Sequence, residues 1–402
     1  MIFKLAWKNL LHKRLSTALA WTLLSISVAT ISLLLMVKKQ LVEQFDRNIQ
    51  NVDMVIGAKG SPLQLILSAI FHIDAPTGNI KMEEADKWMQ HPFVDQAIPL
   101  AYGDSYQGHP IVGTTPAYIS NFHLSLAKGS ANQNDFELVI GSTVAKKLNL
   151  AIGSHIYSTH GADGHGDKHT AHPYTVTGIL QPAGSVADNL LLCNIASIWK
   201  IHDHGHDEHH EEGEEEHDEH VQELTAVLIK FRNPMGQVQL PRLINAQTNM
   251  MAAVPAVEMN RLYTLFGTGF QLLTMIGIAI LLLSAFSVFV SLYNSLKERK
   301  YEMALMRTMG SSRISLVMLL VLESLILSMA GFITGILLSR LGLMVIASTI
   351  QKDYYLTVDA WNAQLPEEIY LLGLVILLAL VSSLLPAIKA WSLNISKTLS
   401  HE

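Results

Sequence analysis

Four apolar stretches, each long enough to cross a bilayer as a helix, limit what this chain can fold into. A hydrocarbon core about 30 Å thick needs roughly 20 helical residues. Residues 15–37, 270–293, 314–345 and 369–390 all satisfy that length. Composition agrees, since 50% of the residues are hydrophobic and only 15% charged. Such values suit a membrane protein with a sizeable soluble portion better than a soluble enzyme. Lys4, Lys8, Lys13 and Arg14 precede the first stretch, as they would in a signal peptide. Its length and the lack of a small-residue cleavage site before Lys38 point instead to a retained anchor.

Charge orients the spans. Segments 1–14 and 294–313 are basic and belong in the cytoplasm, as does the tail 391–402 with Lys397. Residues 38–269 then lie outside. So does the loop 346–368, where Asp353, Asp359, Glu367 and Glu368 outweigh Lys352. The formal charge of −6 misleads, because ten acids fall within residues 202–220 and the rest of the chain is about +4.

The long segment between the first two spans reads as a mixed domain. Strands are expected at 136–142, 155–159, 174–180 and 224–231, which are alternating or β-branched. Helices are expected at 83–90, ended by Pro92, and at 142–150, capped by Ser142 or Thr143 with Gly153 in the next turn. Residues 63–71 are apolar but too short to span, so they form either a buried element or one facing lipid or a partner. Residues 231–269 read as the return path, helical from Val257. GAKGSP at 57–62 is a turn, and no G-x-x-x-x-G-K-[ST] phosphate loop occurs in the chain. Cys193 stands alone, so neither an intrachain disulfide nor a cysteine-based metal site is expected. The expected fold is an integral membrane α-helical protein with four transmembrane helices. A large α+β extracytoplasmic domain lies between helices 1 and 2.

Segment 297–313 carries five bases against Glu298 and Glu302. Met303, Met306 and Met309 recur at helical spacing, and Gly310 follows where a helix could end. A short amphipathic helix of this kind can dock on a soluble cytoplasmic partner, its methionines giving an adaptable apolar contact. From Asn294 to Ser312 the chain reads N-x-x-x-x-R-x-x-E-M-A-L-M-R-T-M-G-S-S. The third span reads L-E-S-L-I-L-S-M-A-G-F-I-T-G at 322–335, and the tail P-A-I-K-A-W-S-L-N-I-S-K-T-L at 386–399. With L-A-W-K-N-L at 5–10, these segments resemble the MacB/FtsX-type ABC permease family, which includes the lipoprotein-releasing permeases. FELVIGSTVAKKLNLAIGSHI at 136–156 is similar to that family's outer domain.

The resemblance implies a dimer of permease subunits in a bacterial inner membrane, with the large domain in the periplasm. It also implies a separate ABC ATPase subunit, because the ATPase fused to MacB itself has no counterpart here. That ATPase would bind at the coupling segment, through Arg299, Glu302, Met303, Leu305, Met306, Arg307, Met309 and Gly310. Mechanotransmission is implied as well: cytoplasmic ATP-driven closure moves the outer domains. The chain itself is then not an enzyme, and no nucleic-acid partner is expected. Glu323 is an ionisable group inside a span, suited to a buried hydrogen bond or to a conformational role. Gly331 and Gly335 form a small-x-x-x-small pair that lets helices approach closely.

Histidine marks the outer domain. Residues 202–220 read HDHGHDEHHEEGEEEHDEH, which cannot bury a core. His202, His204, His206, His209, His210, His217 and His220 could take up zinc or another divalent metal. A second group comprises His155, His160, His165, His169 and His172, so twelve of the eighteen histidines fall within 155–220. No H-E-x-x-H occurs, which argues against a catalytic zinc, and no tightly bound cofactor is expected. The function expected is a permease subunit whose movement is linked to divalent-metal transport or homeostasis, with a periplasmic metal-binding protein as a further partner. The alternatives are export of a lipoprotein, peptide or drug, and an FtsX-like signalling module that regulates an outer hydrolase.

Overall fold

Long apolar helices and a β-rich insertion divide the chain into two compact units. The computed structural model describes residues 2–12, 14–73, 75–161, 172–203, 222–353, 361 and 365–392. Histidines 165 and 169, and those from 204 to 220, lie outside the described residues. The first unit comprises residues 1–41, 265–350 and 358–402, and the second 42–264 and 351–357.

The chain opens with α1 (Ile2–His12) and α2 (Arg14–Ile49). There follow β1 (Met54–Ala58), α3 (Pro62–Ile66), β2 (Ile80–Lys81), α4 (Met82–Met89), β3 (Val94–Tyr106) and β4 (His109–Thr114). Next come α5 (Ala117–Asn121), β5 (Leu126–Gly129), β6 (Glu137–Ile140), α6 (Ser142–Lys147), β7 (His155–Ile156), β8 (Thr159–His160) and β9 (Tyr174–Leu180). The insertion closes with β10 (Leu191–Asn194), α7 (Ile195–Asp203), β11 (Glu223–Leu224), β12 (Ala226–Phe231), α8 (Pro234–Gln247) and β13 (Met250–Ala253). Then come α9 (Pro255–Glu298), α10 (Lys300–Thr308), α11 (Arg313–Asp353) and α12 (Leu365–Trp391).

In the second unit the main sheet runs β13-β1-β12-β3-β4-β10-β6-β9-β5, with β7 on β9 and β8 on β3. It is mixed: β4 with β10 and β6 with β9 are parallel, and the other pairs along it are antiparallel. Strand β9 buries every second residue, from Tyr174 and Val176 to Leu180, as a one-sided strand should. Strand β12 buries Ala226–Ile229 without a break, the mark of a strand covered on both faces. Their side chains join Ile56, Leu138, Ile140 and Leu191 in one apolar core.

Four details differ from expectation. The helix expected at 142–150 begins behind Gly141, which is extended at φ −64° and ψ 154°, and no side chain caps it. A Cβ at Gly141 would sit 2.3 Å from the Asp188 backbone, and the Ser142 hydroxyl donates to Asp188 Oδ1 at 3.0 Å. The cap residue is therefore spent on a tertiary bond. The helix also stops early, because Asn149 takes a left-handed φ of 51°. The strand expected at 155–159 divides into β7 and β8, which pair with different neighbours. The return path holds α8 and the edge strand β13, and α9 starts at Pro255 rather than Val257. Residues 63–71, by contrast, follow the first of their two readings and are a buried element, α3 followed by a π-helical turn at Leu67–Phe71, with Phe71 set edge-on to Phe45 at 5.2 Å.

In the first unit, α2, α9, α11 and α12 are each long and apolar enough to cross a membrane. Leu24, Val28 and Ile31 of α2 pack with Leu281, Leu371 and Val375. Side-chain hydroxyl contacts stitch α2 to α11 through Ser25 with Thr334 and Ser32 with Ser339. Helices α2 and α9 contribute residues to both units.

Candidate functional site

The segment singled out in the sequence forms a short helix with two distinct faces. Arg299 stands at the N-cap of α10 without bonding it through its side chain. The C-terminus closes on Gly310 at φ 99°, where Gly310 N–H donates to Arg307 C=O at 3.1 Å and Ser311 N–H to Met306 C=O at 3.0 Å. These two bonds make a Schellman cap, which needs a residue at ease in the left-handed region. Ser312 then starts α11, its hydroxyl accepting from Ser315 N–H at 3.2 Å.

The inner face carries Met303, which is buried with Leu296, Leu316, Leu320 and Ala390 while Met306 packs alongside. The expected methionine contact for a partner is therefore largely consumed by the bundle itself. The outer face is Tyr301, Leu305 and Met309, of which Met309 is 82% exposed. Glu302 is also exposed, 3.8 Å from Arg299 Nε, a surface pair of small energetic weight. Arg307 is half-buried.

Glu323 ties this helix to the rest of the unit. Its side chain is 3% exposed, and Oε1 accepts from Asn9 Nδ2 at 2.6 Å. The same oxygen lies 3.9 Å from Arg299 Nη1. One carboxylate thus joins α1, the entry to α10 and α11. Asn9 is the member that sequence reasoning missed; its only signal is a polar residue on an otherwise apolar face of the basic N-terminus.

Gly331 and Gly335 lie against α2. A Cβ on Gly331 would meet Leu24 Cδ2 at 2.3 Å, and one on Gly335 would meet Val28 Cβ at 2.7 Å and Ser25 O at 2.8 Å. A second polar group was also missed. Arg340 of α11 pairs with Glu368 of α12 and points Nη1 at Met36 Sδ at 3.1 Å, while Lys39 binds Glu367 at 2.9 Å. Arg340 was the visible signal, as a second charge, beside Glu323, within the apolar run 314–345. Glu367 and Glu368, which in sequence serve only to orient a loop, are engaged by these cations.

Among the described residues, no three His, Cys, Asp or Glu side chains gather as a metal site. His202 is the penultimate residue of α7, and its side chain is outside the described set. His160 is oriented: Nδ1 lies 3.5 Å from Asp104 Oδ1, with the imidazole 61% exposed and the carboxylate fully buried. His155 Nδ1 meets the Thr175 hydroxyl at 3.2 Å, and His172 stacks on Phe136 at 5.1 Å. Cys193 is fully buried, and burial pushes its thiol far above the usual range, so it is protonated at neutral pH.

With the geometry in place, the comparisons assign a family. Residues 17–234 match the model of the MacB-like periplasmic core domain, and residues 274–395 that of the FtsX-like permease C-terminal region. The chain belongs to the MacB/FtsX-type ABC permease family. Helix α10, Glu323, Gly331 and Gly335 all fall in the second matched region of this permease. An uncharacterized ABC transporter permease protein of Mycobacterium tuberculosis (strain ATCC 25618 / H37Rv) is 26% identical over 320 residues. That alignment covers 74% of this MacB/FtsX-type chain and 34% of the relative, so the chain spans about a third of the relative's length. Among solved structures, the periplasmic region of MacB from Actinobacillus actinomycetemcomitans aligns at 11% identity and a TM-score of 0.34, over 54% of this chain and 95% of that one. The extracellular domain of the noncanonic ABC-type transporter YknZ from Gram-positive bacteria aligns at 12% identity and a TM-score of 0.32, over 50% and 98%.

Proposed function

We propose that this permease couples ATP hydrolysis by a separate ABC ATPase to movement of the domain between its first two spans. The observation that carries the reading is the two-faced α10. Its inner face is anchored by Met303, its entry is held near Glu323 through Arg299, and its outer face presents Tyr301, Leu305 and Met309. An exposed apolar patch on a short basic helix is a docking surface for a soluble protein. Force applied there enters α11 through the short Ser311–Ser312 turn and α9 through Arg299. Helix α9 in turn contributes residues to both units. Positive-inside charge supports α10 on the cytoplasmic side and the insertion on the opposite side, and the family resemblance adds an inner-membrane dimer with the insertion in the periplasm. The test is co-reconstitution with the cognate ATPase in proteoliposomes. Binding and stimulated ATP hydrolysis are expected, and an ATPase that neither binds nor responds sinks the reading.

The movement is linked to zinc or a similar divalent metal. Two features support this: the crowding of histidines into 155–220, and the His160–Asp104 pair. A carboxylate on one ring nitrogen is the arrangement that orients a metal-binding imidazole. The described residues supply that one oriented ligand and no complete set, so further ligands would come from the histidines of 202–220. A periplasmic metal-binding protein is the partner this chemistry suggests. Zinc titration of the purified chain and of one lacking 202–220 tests the link, and equal uptake by both removes it.

A further inference from the structure

Helix α1 carries two parallel rows that the coupling function does not use. Phe3, Trp7 and Leu11 recur every four residues and are 61%, 51% and 56% exposed. Lys4, Lys8 and His12 form an adjacent row, also exposed. The opposite face, Ala6 and Asn9, is buried, and the Asn9–Glu323 bond sets the rotation of the helix about its axis. Phe3 lies six residues before Asn9, about 9 Å along the helix. It lines an apolar groove of about 270 Å³ walled by Leu322, Ile326 and Met329 of α11 and by Leu372 and Ile376 of α12. Helix α1 therefore packs against the neighbouring spans with Phe3 over the groove, and its lysine row runs next to the row that carries Phe3.

We infer that α1 and this groove form a binding site for an anionic phospholipid, whose acyl chain enters the groove under Phe3 while Lys4 and Lys8 hold its phosphate. Charge and shape select this occupant. The groove offers almost nothing polar, so its ligand is a hydrocarbon chain. The exposed lysine row that runs beside Phe3 on α1 calls for an anion joined to that chain. A helix with an apolar row beside a lysine row is also the design of interfacial membrane helices, and tryptophan favours that depth. Through Asn9 and Glu323, the bound lipid would steady the same carboxylate that lies near Arg299 at the entry to α10.

Native mass spectrometry of the full chain, released from nanodiscs of mixed phosphatidylcholine and phosphatidylglycerol, tests the site. Wild type should retain phosphatidylglycerol in preference to phosphatidylcholine. Single Lys4→Gln or Lys8→Gln changes should lower that preference about fivefold each, and about 25-fold together, because each exposed lysine contributes on that scale. Both side chains are exposed, so folding should survive. Met329→Trp, which fills the groove, should lower retention of both lipids while leaving both lysines in place. Unchanged phosphatidylglycerol retention in the double lysine variant overturns the proposal. So does efficient disulfide cross-linking of a Phe3→Cys variant to a second copy, which would show that another subunit covers the groove.

Discussion

Single side chains inside the bundle set the firmest expectations. Glu323→Ala leaves Asn9 without its acceptor and the partly buried Arg299 with only the exposed Glu302 as a nearby anion. Breaking a buried charge contact in this way costs about 3 kcal/mol. Glu323→Gln still accepts from Asn9 and should cost less than half of that, so melting temperatures in detergent should rank wild type, Gln, then Ala. The glycines should differ from each other as well. The nearest obstacle at Gly331 is the flexible end of Leu24, whereas at Gly335 it includes the Ser25 carbonyl of the backbone. Gly335→Ala should therefore destabilise by about 2 kcal/mol and Gly331→Ala by clearly less, again read from melting temperatures.

His72 gives the outer domain a pH dependence. Both of its ring nitrogens are buried without a hydrogen-bond partner among the described residues, its ring lies 5.3 Å from Tyr102, and burial lowers its pKa from 6.5 to about 4. The unfolded chain takes up the proton first as acid is added. Stability from this group is thus complete above pH 6.5 and drains away down to about pH 4, by up to about 3 kcal/mol. His109, whose pKa burial also lowers, acts in the same direction. Urea midpoints between pH 4 and 7 should fall with acid in wild type. They should fall less steeply in His72→Phe, and parallel curves would show that His72 does not titrate in this way.

At the scale of an element, α10 separates folding from docking. Leu305→Asp or Met309→Asp changes only the exposed face, so the permease should keep its melting temperature and lose stimulation of its ATPase at least tenfold. Met303→Asp buries a charge among Leu296, Leu316 and Leu320 and should unfold the segment instead. The existence and position of this helix were legible in the sequence, because methionine spacing and a following glycine mark a helix and its end. Which methionine points outward was not. That depends on where α9, α11 and α12 leave room, and Met303 turned inward while Met309 remained in the open. Helix α6 teaches the same lesson, since Ser142 has the chemistry of a cap yet bonds to Asp188.

At the scale of the whole molecule, removal of 202–220 should lower zinc uptake by the purified chain several-fold while leaving its circular dichroism and melting temperature unchanged. The segment is too polar to contribute a core. His160→Ala should weaken the remaining uptake, and acidification through the imidazole range near pH 6.5 should release metal from wild type. Chelation with no change in stability or zinc content in either form would contradict the metal link.

What residue order alone determined here is local and periodic: four apolar runs, alternating strands such as Tyr174–Leu180, a basic helix with a glycine stop, and a family-like set of motifs. Hydrophobic period and run length depend only on neighbours in the chain, so they can be read without coordinates. Tertiary structure decided the pairings between distant residues: Asn9 with Glu323, Arg340 with Glu368, His160 with Asp104, and Gly335 with Ser25. A buried polar or small side chain takes its partner from whichever element packs against it, and that neighbour is set by the fold.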